Sequence, residues 1–254
     1  MSEEPTWVAS VPDAKPLHFR RTSSVTESFH FRLEPIRHAR QACVVGYELL
    51  AGKTCCPSWN QEQWFAWYAS FPDWIHTVFA QIPEHCWLSV NFSSAQIADD
   101  RSYATAVTIT GQHSQRLVLE WLETSDSGVD LQLVTQRLAT LRDLGVRIAI
   151  DDLGSVTGMD GLGRAQVAHA DFIKLDGLFF QSFRGRQALL RNLVGALQDM
   201  GHPCILEWVE TEEDQELAVH SGAMGIQGRL FSAHVLHGKS RMGASGCSLV
   251  RAVQ

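Results

Sequence analysis

Eight short runs rich in Val, Ile and Leu punctuate the chain: FHFRLEPI, VVGYELL, CWLSVNF, RLVLEWL, RIAIDD, DFIKLD, CILEWVE and the shorter MGIQG. Between several of them lie longer amphipathic stretches, including EQWFAWYASFPDWIHTVFAQI, LQLVTQRLATLRDLG, RQALLRNLVGALQDMG and TEEDQELAVHSG. Strand-length apolar runs alternating with helix-length amphipathic ones are the pattern of βα units, not of a sandwich or a bundle. Eight such units in a chain of 254 residues suit one TIM-like (β/α)8 barrel of the α/β class. Pro72 is expected to break the first helical stretch in two, and the glycines that close the others are ordinary helix C-termini.

Polar residues stand near the downstream ends of these runs, where apolar ones are expected. They are Glu48, Asn91, Glu120, Asp151 with Asp152, Lys174, Glu207 and Gln227, each about one βα unit from the last. In a parallel barrel the strand C-termini open onto one rim, so these side chains are expected to converge on one mouth. Five carboxylates brought together raise one another's pKa and resist desolvation, so a cation has to offset them. Lys174 supplies one charge. The oxygen donors of Glu, Asp and Asn suit a hard divalent ion, Mg2+ or Mn2+, better than zinc, and none of the 11 histidines falls at these positions.

Composition narrows the partners. A formal net charge of -7 argues against a nucleic-acid polymer as partner, although a small anion remains compatible with a local metal. The six cysteines lack zinc or C-x-x-C spacing and read as buried or incidental thiols. The acidic, proline-containing start resembles no secretory signal, and no apolar run reaches membrane-spanning length, so a cytoplasmic location is expected. Residues 1–28 read as a flexible leader, 29–236 as the barrel and 237–254 as a tail.

With these residues in view, the stretch from about Phe29 to Leu236 resembles the EAL domain of cyclic di-GMP phosphodiesterases. The resemblance rests on Glu48-Leu49-Leu50 in VGYELL, Glu34-Pro35 where the family usually has Gln-Pro, SVNFS, Glu120-Trp121-Leu122-Glu123, IAIDDLG, FIKLD, LEWVET and GIQGRLF, in that order. It implies an EAL-type barrel that hydrolyses cyclic di-GMP to linear pGpG with two divalent ions. Glu48, Asn91, Glu120 and Asp151 would ligate one ion, and Asp151, Asp152 and Glu207 would help hold a second. The resemblance assigns catalytic work to Lys174, Glu207 and Glu48, with Lys174 positioning water. Gln227, Leu50 and Glu34 would bind substrate or support the site, and Glu123 and Glu210 would back up the ligands. It also implies a possible homodimer.

The chain departs from the family at Gly52, where an Arg usually contacts substrate, with Lys53 adjacent, and in the loop DDLGSVTGMDGLG, which is rebuilt and longer. These departures motivate the alternative of a degenerate module that binds cyclic di-GMP or a protein without hydrolysis. Trp121 and Trp208 follow two of the candidate ligands and are expected by strand alternation to pack outward under the helices. The stripe Trp64, Phe65, Trp67, Trp74 and Phe79 is expected to be a helix face against the barrel.

Overall fold

A computed structural model describes residues 19–20, 26–27, 30–51, 61–122, 128–155, 161–231 and 234–237. Glu123, Gly52, Lys53 and part of the loop after the paired aspartates lie outside them. A short antiparallel pair, β1 (Phe19–Arg20) and β2 (Thr26–Glu27), precedes β3 (His30–His38), β4 (Val44–Ala51), α1 (Gln61–Ala69) and α2 (Phe71–Phe79). The chain continues through β5 (Trp87–Phe92), α3 (Ser94–Ala98), α4 (Asp100–His113), β6 (Leu117–Trp121), α5 (Leu131–Asp143), β7 (Arg147–Leu153) and α6 (Gly161–Val167). It ends with β8 (Phe172–Leu175), α7 (Gly177–Gln181), α8 (Gln187–Asp199), β9 (Cys204–Leu206), α9 (Glu212–Ser221), β10 (Gly225–Ile226) and β11 (His234–His237).

Strands β4 to β10 pair in parallel in sequence order. The first barrel strand, β3, runs antiparallel to β4 on one edge and to β10 and β11 on the other. A strand has two edges, so β10 and β11 are two segments of one closing strand and the sheet is a closed eight-stranded TIM-like barrel. All eight strands expected from the apolar runs are present. Pro72 does separate α1 from α2, sitting in the first turn of α2, where a missing N–H costs nothing.

Alternation divides each strand between two environments. The outward side chains Leu88, Val90, Leu119, Ile148, Ile150 and Ile173 are buried beneath the helices, against residues such as Ile75, Ile109, Leu138, Leu141 and Val194. The inward side chains form layers. At the N-terminal end of the parallel strands Trp87 stacks on Phe172 with centroids 5.3 Å apart, and the Arg147 guanidinium lies 4.9 Å from the Trp87 ring. Gly46 is the register partner of Trp87, and a Cβ on it would fall 2.3 Å from the indole Nε1, so only glycine fits there. This layer closes one end of the barrel and leaves the polar layer at the other. Among the described residues no helix is long and apolar enough to cross a membrane.

Candidate functional site

The candidate residues Glu48, Glu120, Asp151 and Lys174 occupy the inward positions of β4, β6, β7 and β8, one layer deep in the barrel, and Glu207 follows the last residue of β9. Lys174 is fully buried at the centre. Its Nζ donates to Glu120 Oε2 at 2.8 Å and Glu48 Oε2 at 3.2 Å, and lies 2.8 Å from Glu207 Oε1 and 3.0 Å from Asp151 Oδ1. An ammonium has three N–H bonds to share among these four carboxylates. Asp151 Oδ1, the most distant but one of the four, is held by charge at 3.0 Å.

A second set of contacts ties the neighbours in. Asn91 Nδ2 donates to Glu48 Oε1 at 2.7 Å, and its own Oδ1 is buried with no hydrogen-bond partner. Gln227 Nε2 donates to Glu48 Oε2 at 2.6 Å and Glu34 Oε2 at 3.1 Å. Glu34 is the register partner of Glu48 across the antiparallel β3–β4 pair, which is how a residue from the reversed strand reaches the same mouth. Tyr68 on α1 donates its hydroxyl to the Asn91 carbonyl at 2.5 Å, fixing the end of β5.

The paired aspartates need a special backbone. Strict alternation would send Asp151 inward and Asp152 outward, but Asp152 adopts φ +58 and the β7–β8 register shifts between Ile150 and Leu153. That left-handed step gives both carboxylates access to one place. One oxygen each from Asp151, Asp152 and Glu207 lies within 4.8 Å of the others. Non-glycine residues in this conformation are uncommon, and they cluster where function holds them.

Burial sets the electrostatics. It pushes Glu120 up to about 8, helped by the charges of Glu48 and Asp151 and opposed by Lys174. It also raises Asp152 to about 6, with Asp151 adding to the effect, and it raises Asp151 and Glu207 despite Lys174. Glu48 is the exception. Burial acts to raise it, but Lys174 and the hydrogen bonds from Asn91 and Gln227 outweigh burial and lower it. Burial acts to lower Lys174, and the surrounding carboxylates overcome it, so the ammonium is held well above its ordinary value. The layer therefore holds more carboxylate than its one lysine can keep ionised.

The donor set fits a divalent metal. It is all oxygen, its carboxylates outnumber the one lysine, and the Asn91 Oδ1 atom is buried without a hydrogen bond. Leu50 lies two residues further along β4, on the same face as Glu48. Glu210 stands apart. Its Oε1 accepts from Arg229 Nε at 2.8 Å and its backbone N–H donates to Asp214 at 3.2 Å.

The two tryptophans behave differently. Trp121 is buried as expected, with its Nε1 donating to Ser94 Oγ at 2.9 Å and the Arg164 guanidinium 5.5 Å from its ring. Trp208 corrects the expectation of core packing, being 47% exposed. Strand β9 ends at Leu206, and Trp208 takes φ +51, so alternation no longer governs its direction. Its indole covers the backbone of Gly177, where a Cβ would fall 2.0 Å from Cγ. The aromatic stripe divides in a similar way. Trp67, Trp74 and Phe79 are buried, whereas Trp64 and Phe65 line a cavity of about 410 Å³ with Tyr68, Ser93, Ala95, Gln96 and Leu122.

A closed barrel with one end plugged by aromatic side chains and the other lined by acids around a lysine defines a class of α/β barrel with a metal-ready mouth. The family model described as EAL domain matches residues 74–234, and the chain belongs to that family. "Probable cyclic di-GMP phosphodiesterase PdeG" of Escherichia coli (strain K12) is 30% identical over 149 residues, covering 55% of this chain and 28% of the relative. "Oxygen sensor protein DosP" of the same organism is 29% identical over 151 residues, 57% of this chain and 18% of the relative. The chain thus spans under a third of the length of these relatives. Among solved structures, the Klebsiella pneumoniae BlrP1 calcium/cy-diGMP complex superposes with a TM-score of 0.68 at 20% identity, covering 82% of this chain and 59% of that one. An EAL domain protein from Listeria monocytogenes EGD-e gives 0.63 at 18% identity, covering 82% and 88%.

Proposed function

We propose that this chain is a divalent-metal-dependent phosphodiesterase that hydrolyses cyclic di-GMP to linear pGpG. The observation that carries the reading is the convergence of Glu48, Asn91, Glu120, Asp151, Asp152 and Glu207 on one mouth, with the Asn91 Oδ1 atom buried and lacking a hydrogen bond. The name of the PdeG relative and the cyclic di-GMP in the BlrP1 complex support the choice of substrate.

In this proposal Glu48, Asn91, Glu120 and Asp151 hold one ion, and Asp151, Asp152 and Glu207 hold a second. When bound, Mg2+ or Mn2+ supplies Lewis acidity, offsetting charge on the phosphodiester oxygens and making water a better nucleophile at neutral pH. Lys174, charged and immobile, keeps the carboxylates converged and orients water. Gln227 fixes the Glu48 carboxylate through its 2.6 Å hydrogen bond, and Glu34 anchors Gln227 in turn. Water adds to one phosphorus, one P–O3′ bond breaks, and the released 3′-oxygen leaves with a proton to give pGpG. Exposed apolar side chains on α6 and α7, Leu162, Val167 and Leu178, offer surface for the expected homodimer.

The test is to incubate the purified protein with cyclic di-GMP and Mg2+ or Mn2+ and to separate the products by chromatography. The reading expects pGpG from the wild type and none from Glu48→Ala. Cyclic di-GMP bound but not cleaved would replace it with the binding-module alternative.

A further inference from the structure

An anionic substrate needs a cation it can touch, and Lys174 is not one. It is fully buried and shared among four carboxylates. Among the described residues of the barrel strands, the other inward-facing cations are Arg147 and Arg32. Arg147 is committed to the aromatic plug at the opposite end.

Arg32 is placed differently. It lies on β3 two residues nearer the mouth than Glu34, on the same face, with Leu50 of β4 as its register partner. The Arg32 side chain is 27% exposed, enough to meet a ligand without being left in bulk water. Its Nη2 pairs with Glu34 Oε1, while its Nε is buried and has no hydrogen-bond partner. Glu34 in turn accepts from Gln227, which donates to Glu48, so the guanidinium is linked to the metal-ready layer by an unbroken chain of polar contacts. A planar fork with donors unmatched, beside an acidic mouth otherwise hostile to anions, is suited to a phosphodiester oxygen.

We propose that Arg32 is a substrate-binding residue that contacts a non-bridging phosphate oxygen of the phosphodiester, an inference that rests on the phosphodiesterase reading above. The competing role is purely internal, in which Arg32 only neutralises Glu34. A double-mutant cycle separates the two. Hydrolysis of cyclic di-GMP with Mn2+ is followed for the wild type, Arg32→Met, Arg32→Lys, Glu34→Gln and Arg32→Met/Glu34→Gln, and thermal unfolding confirms that each variant is folded.

Loss of a charged hydrogen bond to phosphate predicts a KM raised about 10- to 100-fold by Arg32→Met, with kcat changed less than about threefold. Arg32→Lys, which keeps the charge but not the fork, is expected to fall between. The same fold-change is expected when Arg32→Met is made in the Glu34→Gln background. An unchanged KM in Arg32→Met, or a defect that vanishes once Glu34 is Gln, would overturn the proposal. Calorimetric Kd values for cyclic di-GMP across the same variants keep the two readings apart. A wild type that binds without cleaving defeats the phosphodiesterase reading, and the Kd series still decides on Arg32. A wild type that does not bind overturns both.

Discussion

Lys174 and Glu120 state the energetics of the site in one pair. Each is almost wholly inaccessible to water, and the Lys174 charge is tolerable only because Glu120 and three further carboxylates surround it. Removing one partner of a buried ion pair costs about 3–5 kcal/mol. Lys174→Met is therefore expected to lose stability of that order in urea unfolding, since its Nζ stands within 3.2 Å of four carboxylates. At Gly177 the expectation follows from space alone. Ala there puts a Cβ 2.0 Å from the Trp208 ring and 2.5 Å from the Trp208 Cβ, so Gly177→Ala should destabilise by about 1–3 kcal/mol, and adding Trp208→Gly, which removes both contacts, should recover most of it. The convergent layer was legible in sequence because a Glu, Asn, Asp or Lys ending an apolar run is conspicuous. Trp208 and Asp152 were harder, because alternation assumes extended backbone and both residues have positive φ. Arg32 carries no comparable signal, because a charged residue near the start of a strand is ordinary in sequence.

At the scale of elements, the helices with clear apolar periodicity were legible, and the region 94–113 was not. Its α4, DRSYATAVTITGQH, carries three Thr with one Val and one Ile, β-branched residues that argue weakly for helix and fairly well for strand. The usable signal was the capping box, in which the Ser93 side chain accepts from the Gln96 N–H while the Gln96 side chain accepts from the Ser93 N–H. Thr211 and Asp214 form the same device on α9, so Thr211→Ala should cost about 1 kcal/mol in chemical denaturation. Asp214 also accepts two hydrogen bonds from Arg184, Nε and Nη2 each at 2.8 Å. These bonds, aided by the Glu210 N–H and opposed by burial, hold the Asp214 carboxyl below its usual range. A lowered folded-state pKa contributes stability that is complete above the unfolded value of about 3.9 and fades as pH falls through the folded one. The stability gap between wild type and Asp214→Asn should therefore be flat from neutral pH down to about 5 and shrink in more acid solution, as read by unfolding at a series of pH values.

For the whole molecule, the barrel is a device for holding like charges together. Its outward faces are buried under helices and one end is plugged, so the polar layer cannot relax by splaying apart. Such a mouth is stabilised by whatever cation enters it. A ligand that binds only the folded state adds about 2.7 kcal/mol at a hundredfold excess over Kd. Mn2+ should raise the Tm of the wild type, EDTA should reverse the shift, and Glu120→Gln should remove most of it.

Crystals grown with Mn2+ and measured at the manganese absorption edge test the central claim most directly. The account predicts anomalous density coordinated by Glu48, Asn91, Glu120 and Asp151, with a second peak beside Asp152 and Glu207. A mouth without anomalous density in crystals saturated with manganese, or an ion seated only elsewhere on the protein, would contradict it.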